Sequence, residues 1–479
     1  MSGQAPERGG PEVGWSGDVV VVGAGPAGAH AAACMARAGV RVALVERRER
    51  GEAGAQWVNG VAAWMFDEAG AGRPQAPELL GAGHRFTILS PSGGSRVEVE
   101  ANPVLEVDMR LLGLRLVDEA EAAGAAVMWE ASLQGVELNA QGRPEAALVR
   151  QGGGRVRMSA RLFVDATGLA SVLRRQVPLL GASCPDPGPE DLCVAAQEVR
   201  QVKDPAAARA WLESKGGAPG QVMAWAGGEG GFSILNVRLG EHFEDVSILT
   251  GSIALPRYRS GRRILDDFVE AHPWVGERIF GGAAAIPLRR PYTRLIAPGL
   301  ALLGNSGCQV FPPHGSGIGI GLIAARMLAD AVIEAIGAGE DPGSLAGLWR
   351  YPTRFHRRWG GLLSSSDLFR RFSQRLTSEE LELLMSSGLI TAGMSADTLD
   401  QRPPKVRPAE WPRLVAGAAR APKMLSRLLP VLCRMPLAHL VARTYPRLDR
   451  SHADVSLFRY ERWMRWVVEG PFDSQGGEV

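Results

Sequence analysis

The segment Gly23-Ala24-Gly25-Pro26-Ala27-Gly28 constrains this chain more than any other. It follows Asp18-Val-Val-Val-Val22, a short β-branched run of the kind that forms a strand buried on both faces. It opens an alanine-rich stretch with helical spacing from Ala27 to Ala38, ended by Gly39. Val40-Arg-Val-Ala-Leu-Val45 then reads as a second strand with Glu46 at its end, which completes one βαβ unit. The glycines permit a tight turn, close approach of backbone to a pyrophosphate, and close packing of helix on strand. The start of the helix presents free N–H groups and a positive dipole end to phosphates. An acid about 20 residues past the loop is placed to accept hydrogen bonds from a ribose. The expected nucleotide contacts are therefore Gly23, Gly25, Pro26, Ala27, Gly28, Glu46 and its neighbour Arg47.

A chain of 479 residues needs more than one small core, so two or three domains are expected. Net charge is +2, and nothing global points to nucleic acid. The basic residues are almost all Arg; the only lysines are Lys203, Lys215, Lys405 and Lys423. Five cysteines without paired spacing argue against a disulfide framework and against a zinc site, so no metal is expected. The N-terminus lacks a basic-then-apolar signal sequence, and no run of about 18 uninterrupted apolar residues occurs. A cytoplasmic protein is expected.

Residues 1–16 read as a disordered polar tail. Leu112 to Ala122 has helical periodicity, and Ala125-Ala-Val-Met-Trp129 reads as a strand of the first sheet. A β-meander is expected between Val136 and Val164, turning at Asn139-Ala-Gln-Gly142 and Gly152-Gly-Gly154. Residues from about 175 to 296 alternate apolar and polar positions, as in Gln221-Val-Met-Ala-Trp225 and Val246-Ser-Ile-Leu249, and predict an antiparallel sheet. Gly299-Leu-Ala-Leu-Leu-Gly304 returns as a buried strand, a helix runs from Gly321 to about Gly337, and the remainder is mainly helical. The division this implies is a discontinuous nucleotide-binding domain (17–75, 100–174 and 297–337), an antiparallel-sheet substrate domain (76–99 and 175–296) and a helical C-terminal region (338–479).

Two further motifs follow in order. The first is Phe163-Val-Asp165-Ala-Thr167-Gly168, with Ser171 and Arg174 after it. The second is Leu303-Gly304-Asn305-Ser306-Gly307-Cys308, then Pro312-Pro-His-Gly315-Ser-Gly317, Gly319 and Gly321. In this order the three motifs resemble the flavoprotein group of aromatic-ring hydroxylases (the p-hydroxybenzoate hydroxylase type), geranylgeranyl reductases and flavin-dependent halogenases. The resemblance implies an α/β fold: an FAD-binding, Rossmann-like three-layer domain with an inserted antiparallel-sheet substrate domain and a helical C-terminal region. It implies FAD as cofactor, with Asp165 and Gly168 near the pyrophosphate and riboflavin chain. Gly304, Asn305, Pro312, Gly315, Gly317 and Ile318 would lie at the flavin end, where a second helix N-terminus can stabilise negative charge. Arg110, in Val107-Asp108-Met-Arg110, matches the group's Arg beside flavin and substrate. One departure is clear: the group's usual Asp is Asn305 here, which still offers an amide oxygen and two donors.

Within the group, the halogenase pattern is missing: no Lys precedes Lys203, and no Trp-x-Trp-x-Ile-Pro segment occurs. Geranylgeranyl reductases are the closest overall resemblance, through Gly282-Ala-Ala-Ala-Ile-Pro287 and a C-terminal part containing Phe372-Ser-Gln-Arg-Leu-Thr-Ser-Glu379. Their Tyr-x-Trp-x-Phe-Pro signature is replaced by Gly230-Gly-Phe232-Ser-Ile-Leu-Asn-Val237, and residues 47–100 hold no cysteine. These losses favour monooxygenation of a hydrophobic or aromatic small molecule, free or carrier-bound, through a flavin C4a-hydroperoxide. The alternative is reduction of isoprenoid-type double bonds; a second alternative is a non-catalytic flavin or lipid binder. With one glycine loop and no second βαβ unit, NAD(P)H or another external electron donor would bind transiently.

His314 in the second glycine loop is the candidate proton-transfer residue. Cys308 reads as a small buried residue. Trp57, Trp64, Trp225 and Phe232 are candidates to line the substrate cavity. From Trp411 to Leu448 the chain holds seven Arg or Lys and no Asp or Glu, a basic and apolar stretch able to lie on an anionic membrane surface as a peripheral contact.

Overall fold

A computed structural model describes residues 13–100, 102–229, 232–448 and 452–473. Most of the expected polar tail, and the pair Gly230-Gly231, lie outside the described residues.

The first sheet surrounds the glycine loop. Strand β1 (Val13–Val22) is flanked by parallel neighbours β2 (Val42–Val45) and β11 (Gly154–Asp165). Its path continues through β8 (Ala126–Met128) on one side, and β18 (Leu300–Leu302) and β17 (Ile296–Ala297) on the other. The meander strands β9 (Ser132–Leu138) and β10 (Pro144–Gln151) extend β11. Val19, Val20 and Val21 are fully buried, as a β-branched run covered on both faces must be. Helices α1 (Pro26–Arg37), α3 (Met109–Ala122) and α7 (Ile318–Gly337) pack together over this sheet, and α2 (Ala63–Ala69) lies against α7. Helix α7 begins at Ile318 rather than at the expected Gly321, because Gly317 takes the cap position.

Two boundaries differ from expectation. β1 begins at Val13, so residues 13–16 are strand rather than tail. The cause is β11, twelve residues long, whose first half offers Val156 to Ser159 as a parallel partner to Val13 to Ser16. Leu79–Ala82 (β4), expected with the substrate domain, instead pairs with β7 (Val104–Asp108), which also pairs with β3 (Val58–Ala62) in a three-stranded sheet.

The second large sheet has seven strands: β16 (Val275–Pro287), β12 (Leu192–Val202), β15 (Asp245–Ile253), β14 (Ser233–Leu239), β13 (Val222–Ala226), β5 (Phe86–Leu89) and β6 (Arg96–Val99). Period-two alternation gives it two faces. Ala196, Met223, Val237, Leu239, Val246 and Ile248 point outward and are buried with Ala208 and Leu212 of α5 (Pro205–Ser214) and Leu265 and Phe268 of α6 (Gly261–Ala271). The opposite face looks toward the three-stranded sheet. There Gln197 accepts from the Val58 N–H at 3.1 Å, Arg238 pairs with Glu106 at 3.0 Å, and Arg110 lies over the Phe280 ring at 3.6 Å.

After the short α4 (Pro178–Ser183), the other helices are C-terminal: α8 (Leu345–Leu348), α9 (Arg350–Phe355), α10 (Gly361–Ser373), α11 (Ser378–Ser387), α12 (Ala392–Leu399), α13 (Trp411–Arg420), α14 (Pro422–Arg443), α15 (Ala453–Val468) and α16 (Gly470–Asp473). A buried ion network fastens them to the turns that flank the second sheet. Arg370, wholly buried, meets Asp191 at 2.8 Å and also Asp367, while Arg371 reaches Asp191 at 2.9 Å. Arg290 meets Glu461 at 2.6 Å, and its backbone N–H donates to Asp367 at 3.0 Å. Arg290 holds the Glu461 carboxyl down to about 2 against the opposing effect of burial. Removing Arg290 would strand the Glu461 charge, most of it buried, at a cost of about 3–5 kcal/mol.

Candidate functional site

The site grows from two glycine turns that open two adjacent helices. Gly23 has φ +104°, and a Cβ there would lie 2.4 Å from the Ala166 carbonyl oxygen. A Cβ on Gly28 would lie 2.0 Å from the carbonyl oxygen of Gly23. Only glycine therefore lets the loop close on its own backbone and on the β11 turn. Gly25 is the cap residue of α1, with Pro26 next, and no side chain satisfies the N–H groups of the first turn. Gly317 plays the same part for α7, again with no side-chain cap. By contrast α3, α5, α6, α8, α11 and α12 are capped by Asp108, Asp204, Ser260, Ser344, Thr377 and Thr391. Other helices, such as α2 and α13, also lack a side-chain cap, but α1 and α7 start side by side: a Cβ on Gly304 or on Gly321 would sit 3.5 or 3.4 Å from the Ala27 Cβ.

The second and third motifs are tied together beneath them. Asp165 is fully buried, and its carboxylate accepts from the Thr167 N–H and hydroxyl, the Leu173 and Arg174 N–H groups, and the Ser306 hydroxyl. Its oxygens are engaged within the protein, so it holds the turn rather than facing a ligand. The Ser306 hydroxyl also lies 2.8 Å from the Gly168 carbonyl. Gln309 accepts from the Gly304 N–H at 2.7 Å and donates to the Tyr351 hydroxyl, which donates to the Leu302 carbonyl. Ser306, Gln309 and Tyr351 were not anticipated. Ser306 lies inside a motif already noted, but Tyr351 is remote in sequence and carries no local signal.

Glu46 ends β2 and accepts from the Ala24 N–H at 2.9 Å and the Arg48 N–H at 3.0 Å. Arg47 is exposed. Arg110 forms a two-point pair with Asp108, at 3.0 and 2.6 Å, beside the second sheet. Asn305 is half-buried beside Gly317, where an added Cβ would lie 3.1 Å from its Oδ1. Its amide makes no side-chain hydrogen bond among the described residues. The residues present thus fit a dinucleotide: a glycine cradle that any Cβ would fill, two uncapped helix starts, and a free amide between them.

His314 is held against α12. Its Nε2 lies 3.3 Å from the Thr398 carbonyl of α12, and its ring packs on Phe311. A carbonyl only accepts, so Nε2 carries the proton. Burial lowers the imidazole to about 4, which leaves it neutral at pH 7. Pro312 is buried, and Gly315 (φ +70°) approaches Leu288 and Ile286 of the second sheet and its exit. Burial pushes the Cys308 thiol up to about 11, so it stays a thiol at neutral pH.

The four aromatic candidates separate. Trp57 lies over Gly282 on the open face, 3.1 Å from where a Cβ would stand. Phe232 packs with Cys193, Ile253 and Leu288 at the end of that face nearest the second glycine loop. Trp64 stacks on Trp359 and donates to Asp400, so it anchors the C-terminal helices. Trp225 is a correction: strand register puts it with Met223 on the outer face, where it meets Trp211 of α5. What sequence alternation hid is the floor of the open face. Cross-strand register places Ala284, Ala195, Gly251, Ile234 and Ala226 in one band across five strands. All but Gly251 remain partly exposed, whereas the outer-face positions are sealed.

A family model described as FAD dependent oxidoreductase matches residues 18–177. The chain is 24% identical over 445 residues to the digeranylgeranylglycerophospholipid reductase of Sulfolobus acidocaldarius, covering 91% of this chain and 94% of that protein. It is 29% identical over 377 residues to digeranylgeranylglycerophospholipid reductase 2 of Methanothermobacter thermautotrophicus, covering 77% and 91%. Among solved structures, a geranylgeranyl bacteriochlorophyll reductase-like protein of Thermoplasma acidophilum superposes with a TM-score of 0.69 at 20% identity, over 87% of this chain and all of that one. PqsL of Pseudomonas aeruginosa, a probable FAD-dependent monooxygenase, gives 0.53 at 18% identity over 75% and 97%. The structural likenesses show a shared fold: an FAD-binding, Rossmann-like α/β architecture with a helical C-terminal region. The family model over residues 18–177 supports FAD as the cofactor and oxidoreduction as the chemistry.

Proposed function

We propose that this FAD-dependent oxidoreductase reduces carbon–carbon double bonds in an isoprenoid-type chain. The observation that carries the reading is the band from Ala284 to Ala226, uncharged and almost wholly of small residues, running across the open face. An extended hydrocarbon can lie along it without desolvating a charge. An aromatic substrate would call for polar groups to orient its ring, and on this face Arg238, Arg110 and Gln197 are already paired. The reductase names of the sequence relatives support the same choice over the monooxygenation that the missing signatures favoured.

Gly23, Gly25 and the first N–H groups of α1 would hold the pyrophosphate, with Pro26, Ala27 and Gly28 shaping the turn. Glu46 would take the ribose, and Asn305 with the Gly317–Ile318 N–H groups would take the flavin side. Reduced FAD bound there would supply a hydride to one carbon of the double bond, and the other carbon would take a proton drawn from solvent. The protein aligns the chain on the band, keeps water off it, and holds His314 neutral against α12. Electrons would come from NAD(P)H or another external donor.

The test uses purified yellow protein, reduced with dithionite without oxygen and mixed with a geranylgeranyl lipid. Gain of hydrogen by the lipid, read by mass spectrometry, is expected. Product formed only with oxygen, with an oxygen atom added, would restore monooxygenation. Protein that cannot be loaded with FAD would leave only a lipid binder.

A further inference from the structure

Helices α14 and α15 are packed on one side only. α14 buries Met424, Leu428, Val431, Ala438 and Ala442. It turns Leu429, Leu432, Cys433, Pro436 and Leu440 to solvent, at spacings of three and four that share one helix face. α15 buries Leu457, Tyr460 and Met464 and turns out Val455, Phe458, Trp463 and Trp466. Leu440, Phe458 and Trp463 are 61, 68 and 61% exposed. The two stripes adjoin: Arg434 of α14 donates to the Trp466 carbonyl at 3.1 Å and covers its ring. Scattered exposed leucines are ordinary, but a contiguous apolar face on two packed helices marks an interaction surface.

Charge indicates what covers it. Trp411–Leu448 carries seven basic residues and no acid. On α15 the acids are drawn away: Glu461 and Glu469 meet Arg290, and Asp454 meets Arg294. Exposed Lys423, Arg443, Arg459 and Arg462 pair with no carboxylate among the described residues. A second copy of the chain would bring like charges together on this face. An anionic bilayer answers both features, and tryptophan suits the headgroup level.

We propose that the α14–α15 face docks on an anionic lipid bilayer, with the apolar stripe at the acyl boundary and the basic residues among the headgroups. α14 has a stretch of mean hydropathy 1.3 and is long enough to cross a membrane. Its packing on α10 and its internal Pro430 and Pro436 make it lie along the surface instead. The inference stands on this surface and does not rest on the reaction proposed for the flavin site.

Full-length, flavin-loaded protein is mixed with vesicles of phosphatidylcholine alone or with phosphatidylglycerol, then sedimented. Binding to the anionic vesicles is expected, at least about tenfold tighter than to neutral ones and weakened by salt. Phe458→Ser with Trp463→Ser should weaken it about tenfold, as should Arg459→Glu with Arg462→Glu. All four positions are exposed, and the flavin absorbance reports that the variants are folded. No sedimentation, or variants that bind like the parent, overturns the proposal. So does light scattering that shows a dimer broken by Phe458→Ser with Trp463→Ser, which would assign the face to a second copy. Failure to reduce any isoprenoid would remove the flavin reading and leave the vesicle result intact.

Discussion

The two glycine turns open helices of the same site, yet they use glycine for different reasons. In the first, Gly23 and Gly28 are crowded by carbonyl oxygens of the backbone, which cannot move without dismantling the β1–α1 turn. In the second, Gly315 is needed for its φ of +70°, and a Cβ on Gly317 would come closest to the side-chain atoms Asn305 Oδ1 and Val310 Cγ2, both at 3.1 Å, with the Gln309 carbonyl at an ordinary 3.6 Å. A backbone-limited turn is rigid and tolerates no Cβ, while a side-chain-limited turn can adapt. The first turn can therefore hold a constant ligand, and the second can be retuned.

Substitutions should rank accordingly. Gly28→Ala has the largest expected effect: about 3 kcal/mol of lost stability and protein that purifies without flavin, read by melting and by visible absorbance. Gly315→Ala should cost about 1–2 kcal/mol through its left-handed backbone while retaining most of its FAD. Gly317→Ala should cost about 1 kcal/mol or less, since Asn305 and Val310 can shift, and weaken FAD only a few-fold. If Gly317→Ala proves as damaging as Gly28→Ala, the contrast between the turns fails. Asn305→Asp should change least. A negative charge near the start of α7 should add about 0.5 kcal/mol and leave flavin content unchanged or slightly raised.

The pH response sharpens the same contrast, because only the second turn carries a titrating group. Folding holds His314 at about 4, below the ordinary 6.5, so the unfolded chain binds its proton first. The stability it contributes is present above 6.5 and is lost as pH falls toward 4. His356, lowered to about 3 by burial and by Arg290, adds a parallel loss. His314→Gln should flatten part of this acid limb in a melting series and leave His356's share. An unchanged limb would mean that His314 is not held neutral.

Much of the cofactor side was legible because its signals are local. A β-branched run, a glycine loop, a helix and a terminal acid lie within about thirty residues, and each reports its own conformation. The meander and the β8 strand were readable for the same reason. The remainder depends on which distant backbone is nearby. Val13–Ser16 became strand only because β11 runs long, and β4 joined β7 through a pairing that its four residues do not encode. Alternation showed that Trp225 lies on one face of a strand but not which face would be sealed by α5. Tyr351 and the Asp191–Arg370–Asp367 cluster were invisible because their members are separated by up to 179 residues. Asp165, read as a cofactor contact, spends its carboxylate on Leu173, Arg174 and Ser306 beneath the turns.

That placement of Asp165 has a consequence for how the chain can change over time. β11 and β18 are adjacent parallel strands, Phe163 beside Leu300, and Asp165 is bonded to Ser306 across their ends. Everything between them leaves the first sheet and returns to it at a closed gate. Strands β12 to β16 of the seven-stranded sheet, which lie between those ends in sequence, therefore behave as a cartridge. Their loops can be redrawn with little change in closure entropy, while the flavin side meets them at the two fixed ends and at the Gln197–Val58, Arg238–Glu106 and Leu288–Gly315 contacts.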